Sequence, residues 1–327
     1  VVDPCRELSS AVSKLPTLPA GLAAADAPIC RGDASTRTEE SLNVSHRSGL
    51  RTNVVLAATI AAVLLGSASV THAQGRLDAR YTASLAGIPI GRGAWAIEID
   101  DDKYVAAASG ATAGLMRLFS GGEGTGASRG RIVNGQFLPG TYAASILTSS
   151  RKSQVRLGLK GGAVRELDVS PPIEPDSERV PIRESHRRGV IDPMTASLLR
   201  VGDGNPLIPA ACQRTVSVFD GRMRYDLRLA YKTMQPVKAE KGYAGPALVC
   251  SVYFQPIAGH VPSRATIKYL AELRDMEIRL VPIAGTSVLV PFRVSIPTPF
   301  GLGVLEATQF LTAAQRTRAA TSGATAE

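Results

Sequence analysis

The chain has 327 residues, of which 44% are hydrophobic, 5% aromatic and 20% charged, and it carries a formal net charge of +9. Its basic residues are dispersed, as at Arg222, Arg224 and Arg228, rather than clustered among stacking aromatics, so no nucleic-acid partner is expected. A basic surface of this kind suits anionic lipid headgroups or other polyanions.

Residues 1–43 are rich in Pro, Ala, Ser and Thr, with no sustained hydrophobic period, and hold Cys5 and Cys30. They read as a disordered extension or as translated upstream sequence that the natural protein lacks. No Met precedes Met116, and a start at Val44 would open an export signal of ordinary length. The stretch 44–73 has the three parts of such a signal. His46, Arg47 and Arg51 form a basic beginning, Val54–Leu65 is a short apolar run, and Thr71-His72-Ala73 offers small residues at a cleavage point. The apolar run falls short of the roughly 20 residues that span a bilayer. The expectation is therefore a signal cleaved after Ala73 and a periplasmic protein with no stable membrane span; a retained anchor and a buried helix are the alternatives.

From residue 74 onward most segments read as strands. LDARYTASLAGIPIGRGAWAIEID alternates apolar and polar residues about a break at Gly87-Ile88-Pro89 and ends in an acidic turn, Asp100-Asp101-Asp102. Tyr104–Ala108 continues the meander. The glycine-rich SGGEGTGASRG lacks the Lys-Ser/Thr of a phosphate loop and reads as a mobile connection. FLPGTYAASILTS and SQVRLGLKGGAVRELDVSPP add strands, with turns expected at Pro139-Gly140 and Gly161-Gly162. One short helix is expected at about 192–201, capped by Asp192 with Pro193 at its first position and ended by Gly202. TVSVFDGRMRYDLRLAYKTMQPV then forms the strongest hairpin signal, turning at Asp220-Gly221. Further strands follow to about residue 313, and 314–327 read as a disordered tail. The fold expected for 74–313 is a single, mainly β domain, with little room for crossover helices and no doubly wound sheet.

Two cysteines remain in this part, Cys212 and Cys250, without CxxC spacing or grouped metal ligands. In an oxidising compartment such a pair is most simply a disulfide. No metal or cofactor is expected. The same region has two histidines. His186 lies in a charged loop-like segment, and His260 sits among turn residues. Asp220 is explained by its turn, and no GxSxG elbow is present, so no catalytic residue is assigned.

The Gly87-Ile88-Pro89-Ile90-Gly91 strand break, the Asp192-Pro193-Met194-Thr195-Ala196 helix start, the Phe219-Asp220-Gly221-Arg222 hairpin and the run VCSVYFQPIAGH resemble the DUF3108 family of bacterial exported proteins, a family without an assigned function. The resemblance implies an antiparallel sheet curved into an open or half barrel and says nothing of chemistry. A curved sheet with an apolar inner face suggests a non-catalytic protein that binds a lipid, another apolar or amphipathic envelope component, or a protein partner. Trp95, Leu227, Leu229 and His260 are the expected contacts. An envelope hydrolase using His260, or an assembly scaffold with no small ligand, is the alternative.

Overall fold

The computed structural model describes residues 74–113, 121–202 and 204–314. The expected extension and signal, including Val54–Leu65, and the tail beyond Ala314 lie outside the described residues. Seven strands come first: β1 (Gly75–Leu85), β2 (Ile88–Ile99), β3 (Lys103–Thr112), β4 (Gly122–Val133), β5 (Gln136–Thr148), β6 (Lys152–Lys160) and β7 (Ala163–Ser170). Each pairs antiparallel with the next. After a long excursion come β8 (Leu199–Arg200), β9 (Arg214–Phe219), β10 (Arg224–Lys238), β11 (Lys241–Gly242), β12 (Ala244–Ala258), β13 (Met276–Pro282), β14 (Val288–Thr298) and β15 (Gly301–Ala314).

β15 returns to pair with β1, so one sheet runs β7-β6-β5-β4-β3-β2-β1-β15-β14-β13-β12-β10-β9, with β8 and β11 beside β14 and β15. Its two edges, β7 and β9, do not pair with each other; this is the open, antiparallel sheet expected. The peptide between them nevertheless touches both. Val190 N–H donates to Gly162 O, Ile191 N–H to Ser217 O, and Phe219 N–H to Ile191 O, so residues 188–191 lie along the seam. Val190 and Phe219 pack there with Val155, Leu157 and Val164, which brings the two ends of the sheet into one apolar cluster.

Turn chemistry sets the register. Gly87 and Gly221 adopt φ of 81° and 94°, where a side chain is disfavoured, and close the β1–β2 and β9–β10 hairpins at the expected places. Pro139-Gly140 makes no turn: both lie inside β5, where the register with β4 shifts between Arg129 and Gly130. SGGEGTGASRG is not a mobile connection either, because from Gly122 it forms the twelve-residue β4. The expected helix shrinks to α1 (Pro193–Ala196), since Leu199–Arg200 finds a better backbone partner in β14. A second helix, α2 (Ala265–Glu272), arises where no helix was expected.

The core explains the run VLVPF in β14. Val288, Val290 and Phe292 face one apolar cluster with Leu77, Ile97 and Phe310, while Leu289 faces a second with Leu248 and Leu280. A strand buried on both faces has no polar alternation to show. The second cluster also holds the Cys212–Cys250 disulfide, whose Cα atoms are 5.6 Å apart.

Candidate functional site

Directly opposed residues in an antiparallel ladder share a face. Three such rows run across β1 to β6. The first is Leu77, Ile97, Ala106, Ser128, Tyr142 and Leu157; the second is Ala79, Trp95, Ala108, Gly126, Ala144 and Val155; the third is Tyr81, Gly93, Gly110, Gly124, Ile146 and Ser153. The first row has side chains large enough to fill the interior. The second and third are mostly Gly and Ala between Trp95 and Ile146, and space is left over. An added Cβ would meet nothing nearer than 3.5 Å at Gly110 and 3.6 Å at Gly124.

That space is a cavity open to solvent on one side, with a volume of about 670 Å³. Tyr81, Trp95, Ile146, Met194, Pro291 and Leu305 contribute its larger walls, and Arg92 and Glu123 its charged members. The volume falls within the roughly 300–1,000 Å³ of small-molecule sites, which are also mostly apolar with few polar groups. Trp95 is 7% exposed, and its buried indole N–H has no hydrogen-bond acceptor among the described residues. Tyr81 is fixed by donating its hydroxyl proton to Pro291 O at 2.6 Å. Beyond the cavity the hairpin ends carry Ile88 and Phe300, 62% and 79% exposed, and Ala86 N–H donates to Leu302 O to hold the two ends together.

α1 forms the inner stop of the cavity. Met194 lines it, and its Cε lies 3.3 Å from where a Cβ on Gly126 would stand. The helix has only four residues, too few to stand without tertiary support. Asp192, fully buried, supplies much of that support. One carboxylate oxygen accepts from the N–H groups of Met194 and Thr195 at 3.0 and 2.9 Å; the other accepts from the Ser128 and Thr195 hydroxyls at 2.9 and 2.6 Å. Tyr104 adds a 2.6 Å hydrogen bond to the Thr195 hydroxyl. Burial pushes the Asp192 carboxyl above its ordinary range, although all four donors oppose the shift. Sequence reasoning finds the cap but not the network, because Ser128 and Tyr104 approach only once β3 and β4 pair.

The other expected contacts lie elsewhere. Leu229 packs in the cluster with the disulfide, and Leu227 is partly buried on the same strand; neither lines the apolar cavity. His186 accepts the Arg183 N–H on its Nδ1 in a short helical turn. His260 is 9% exposed and borders a separate arginine-lined pocket beside the seam, with burial lowering its pKa. Among the described residues no hydrogen bond joins its ring to a carboxylate or a hydroxyl, and its Nδ1 is buried without a partner. Nor do His, Cys, Asp or Glu side chains group as metal ligands among the described residues.

Comparison with solved structures finds similarity to the crystal structure of a β-barrel-like protein of domain of unknown function DUF1849 from Brucella abortus. The match has 8% sequence identity and a TM-score of 0.41, and covers 74% of this chain and 98% of that one. No curated protein matches. The profile of DUF3108, a family of unknown function, matches residues 80–308, and the chain belongs to that family.

Proposed function

We propose that this chain is an exported, non-catalytic binding protein whose curved sheet takes the hydrocarbon part of an amphipathic envelope component. The cavity walled by Trp95, Met194 and Ile146 carries the reading. A folded chain gains by filling such space, yet inward positions that border it on β2 to β4, Gly93, Ala108, Gly110 and Gly124, are Gly and Ala where larger residues would close it. Hydrocarbon entering this space removes its own surface and that of the wall from water, at about 25 cal/mol per Å². Exposed Ile88 and Phe300 give an amphiphile an apolar approach. The buried disulfide supports export to an oxidising compartment, and among the described residues no helix is long and apolar enough to cross a membrane.

Native mass spectrometry of protein isolated from the periplasmic fraction tests this reading. The expected spectrum contains an adduct with the mass of an amphiphile, and the Gly110→Leu/Gly124→Leu variant, which fills the cavity, loses it. Folded wild-type protein that carries no adduct and acquires none from envelope lipid extract would contradict the proposal.

A further inference from the structure

The arginine-lined pocket beside the seam has a volume of about 380 Å³ and is built from five separate stretches of chain. Arg151 and Ser153 come from the start of β6, Glu174 and Arg179 from the segment after β7, and Arg222 from the β9–β10 turn. His260 follows β12, and Arg264 precedes α2. Four arginines therefore border it against one carboxylate, Glu174, which pairs with Arg151 at 3.4 Å on the exposed side. Asp220 feels the Arg222 charge, but one of its carboxylate oxygens is already engaged by the N–H groups of Arg222 and Met223.

Two of the guanidinium groups are held by neutral acceptors. Arg222 Nη2 donates to Pro171 O at 3.0 Å, and to Ser170 O and the Ser153 hydroxyl at 3.3 Å. Arg179 Nη1 donates to Gly259 O at 2.7 Å. Carbonyl oxygens orient these groups without neutralising them, so that, beyond the part of the Arg222 charge that acts on Asp220, the positive charge is left for a ligand. Two of the residues that border the pocket carry a buried polar atom, Arg179 Nε and His260 Nδ1, with no hydrogen-bond partner among the described residues. A guanidinium N–H is always a donor, so a buried Arg179 Nε without an acceptor suits a pocket that receives an anion.

The ladder places this pocket beside the apolar cavity. Ile146 walls the cavity, Ser153 walls the arginine pocket, and the two are direct cross-strand partners on β5 and β6. Neighbouring strands lie about 4.8 Å apart. A chain lying over Ile146 therefore needs to pass only one strand to bring its head to Ser153 and Arg222.

We infer that the arginine pocket is the headgroup site for the amphiphile whose chain fills the apolar cavity, and that the group it binds is a phosphate or phosphate ester. The inference rests on the binding reading above and adds the chemical class of the ligand. Arginines arriving from four segments suit oxygens distributed around a tetrahedral phosphorus, whereas a planar carboxylate is matched by a single guanidinium fork.

Isothermal titration with decyl phosphate, decanol and inorganic phosphate, each below any micellar concentration, tests the two sites separately. The expected result is that decyl phosphate binds at least tenfold more tightly than decanol or inorganic phosphate. The Arg151→Gln/Arg264→Gln variant, altered only at exposed side chains, loses that advantage while still binding decanol. Gly124→Leu weakens both alkyl probes. Equal binding of decanol and decyl phosphate would overturn the headgroup site and leave the cavity standing. Inorganic phosphate binding as tightly as decyl phosphate would make the pocket a site for free phosphate and sink the pairing, and failure of both alkyl probes would remove the cavity reading and the headgroup assignment with it.

Discussion

Replacing Asp192 by Ala removes four hydrogen bonds from the inner stop of the cavity, and the cost can be worked out from what each donor does next. The Met194 and Thr195 N–H groups lose the cap of α1, worth about 1 kcal/mol. The Tyr104, Thr195 and Ser128 hydroxyls remain in line, with Thr195 2.6 Å from Tyr104 and 3.0 Å from Ser128. Three protons then share two contacts, so one buried donor is orphaned at a cost of about 1–3 kcal/mol. The sum is a loss of about 2–4 kcal/mol. Asp192→Asn should cost about 1 kcal/mol less than Ala, because its carbonyl keeps both N–H donors of the cap, whereas its amide cannot accept and one hydroxyl proton is still orphaned. Urea unfolding with an unchanged slope reads both values. An Ala variant within about 0.5 kcal/mol of wild type would show that the network does not hold α1. An Asn variant as unstable as Ala would show that the cap on the Met194 and Thr195 N–H groups adds nothing.

The pH dependence of Asp192 follows from the direction of its shift. Its folded pKa lies above the ordinary 3.8, so between that value and the raised one the folded chain holds more proton than the unfolded chain. Stability from this group is full below 3.8 and falls as pH rises through the folded pKa. The stability difference between wild type and Asp192→Asn should therefore move in favour of wild type on acidification, and a difference that is flat or moves the other way would refute the assignment. Removal of the disulfide by Cys212→Ala/Cys250→Ala frees a loop of sequence separation 38. The chain-entropy model puts the loss at about 4 kcal/mol, read as a lower urea midpoint. A loss below about 1 kcal/mol would count against the disulfide as a staple of the second core cluster.

Features set by neighbours in sequence were legible before the structure. Asp220-Gly221 and Gly87 announce their turns because only certain residues accept those backbone angles, and the Cys212–Cys250 pair follows from composition alone. The glycine-rich β4 was misread for a sound local reason, since glycine weakens an isolated strand. Its inward role depends on β3 and β5 lying on either side, which the sequence does not display. Alternation made Leu229 an expected ligand contact and gave no way to know that it packs in the cluster that holds Cys212 and Cys250. The arginine pocket left no spacing signal at all, because Arg151, Arg222 and Arg264 are far apart in the chain and meet only where the sheet's two edges converge.

Trp95 is the sole tryptophan in the sequence, so fluorescence excited at the indole reports the cavity wall alone. Titration with an alkyl phosphate brominated along its chain brings a heavy-atom quencher to that wall if the chain enters. The account predicts saturable quenching in wild type that is relieved by unbrominated decyl phosphate and strongly reduced in Gly110→Leu/Gly124→Leu. Folded wild-type protein whose Trp95 emission shows no saturable quenching would contradict the claim that this cavity binds hydrocarbon.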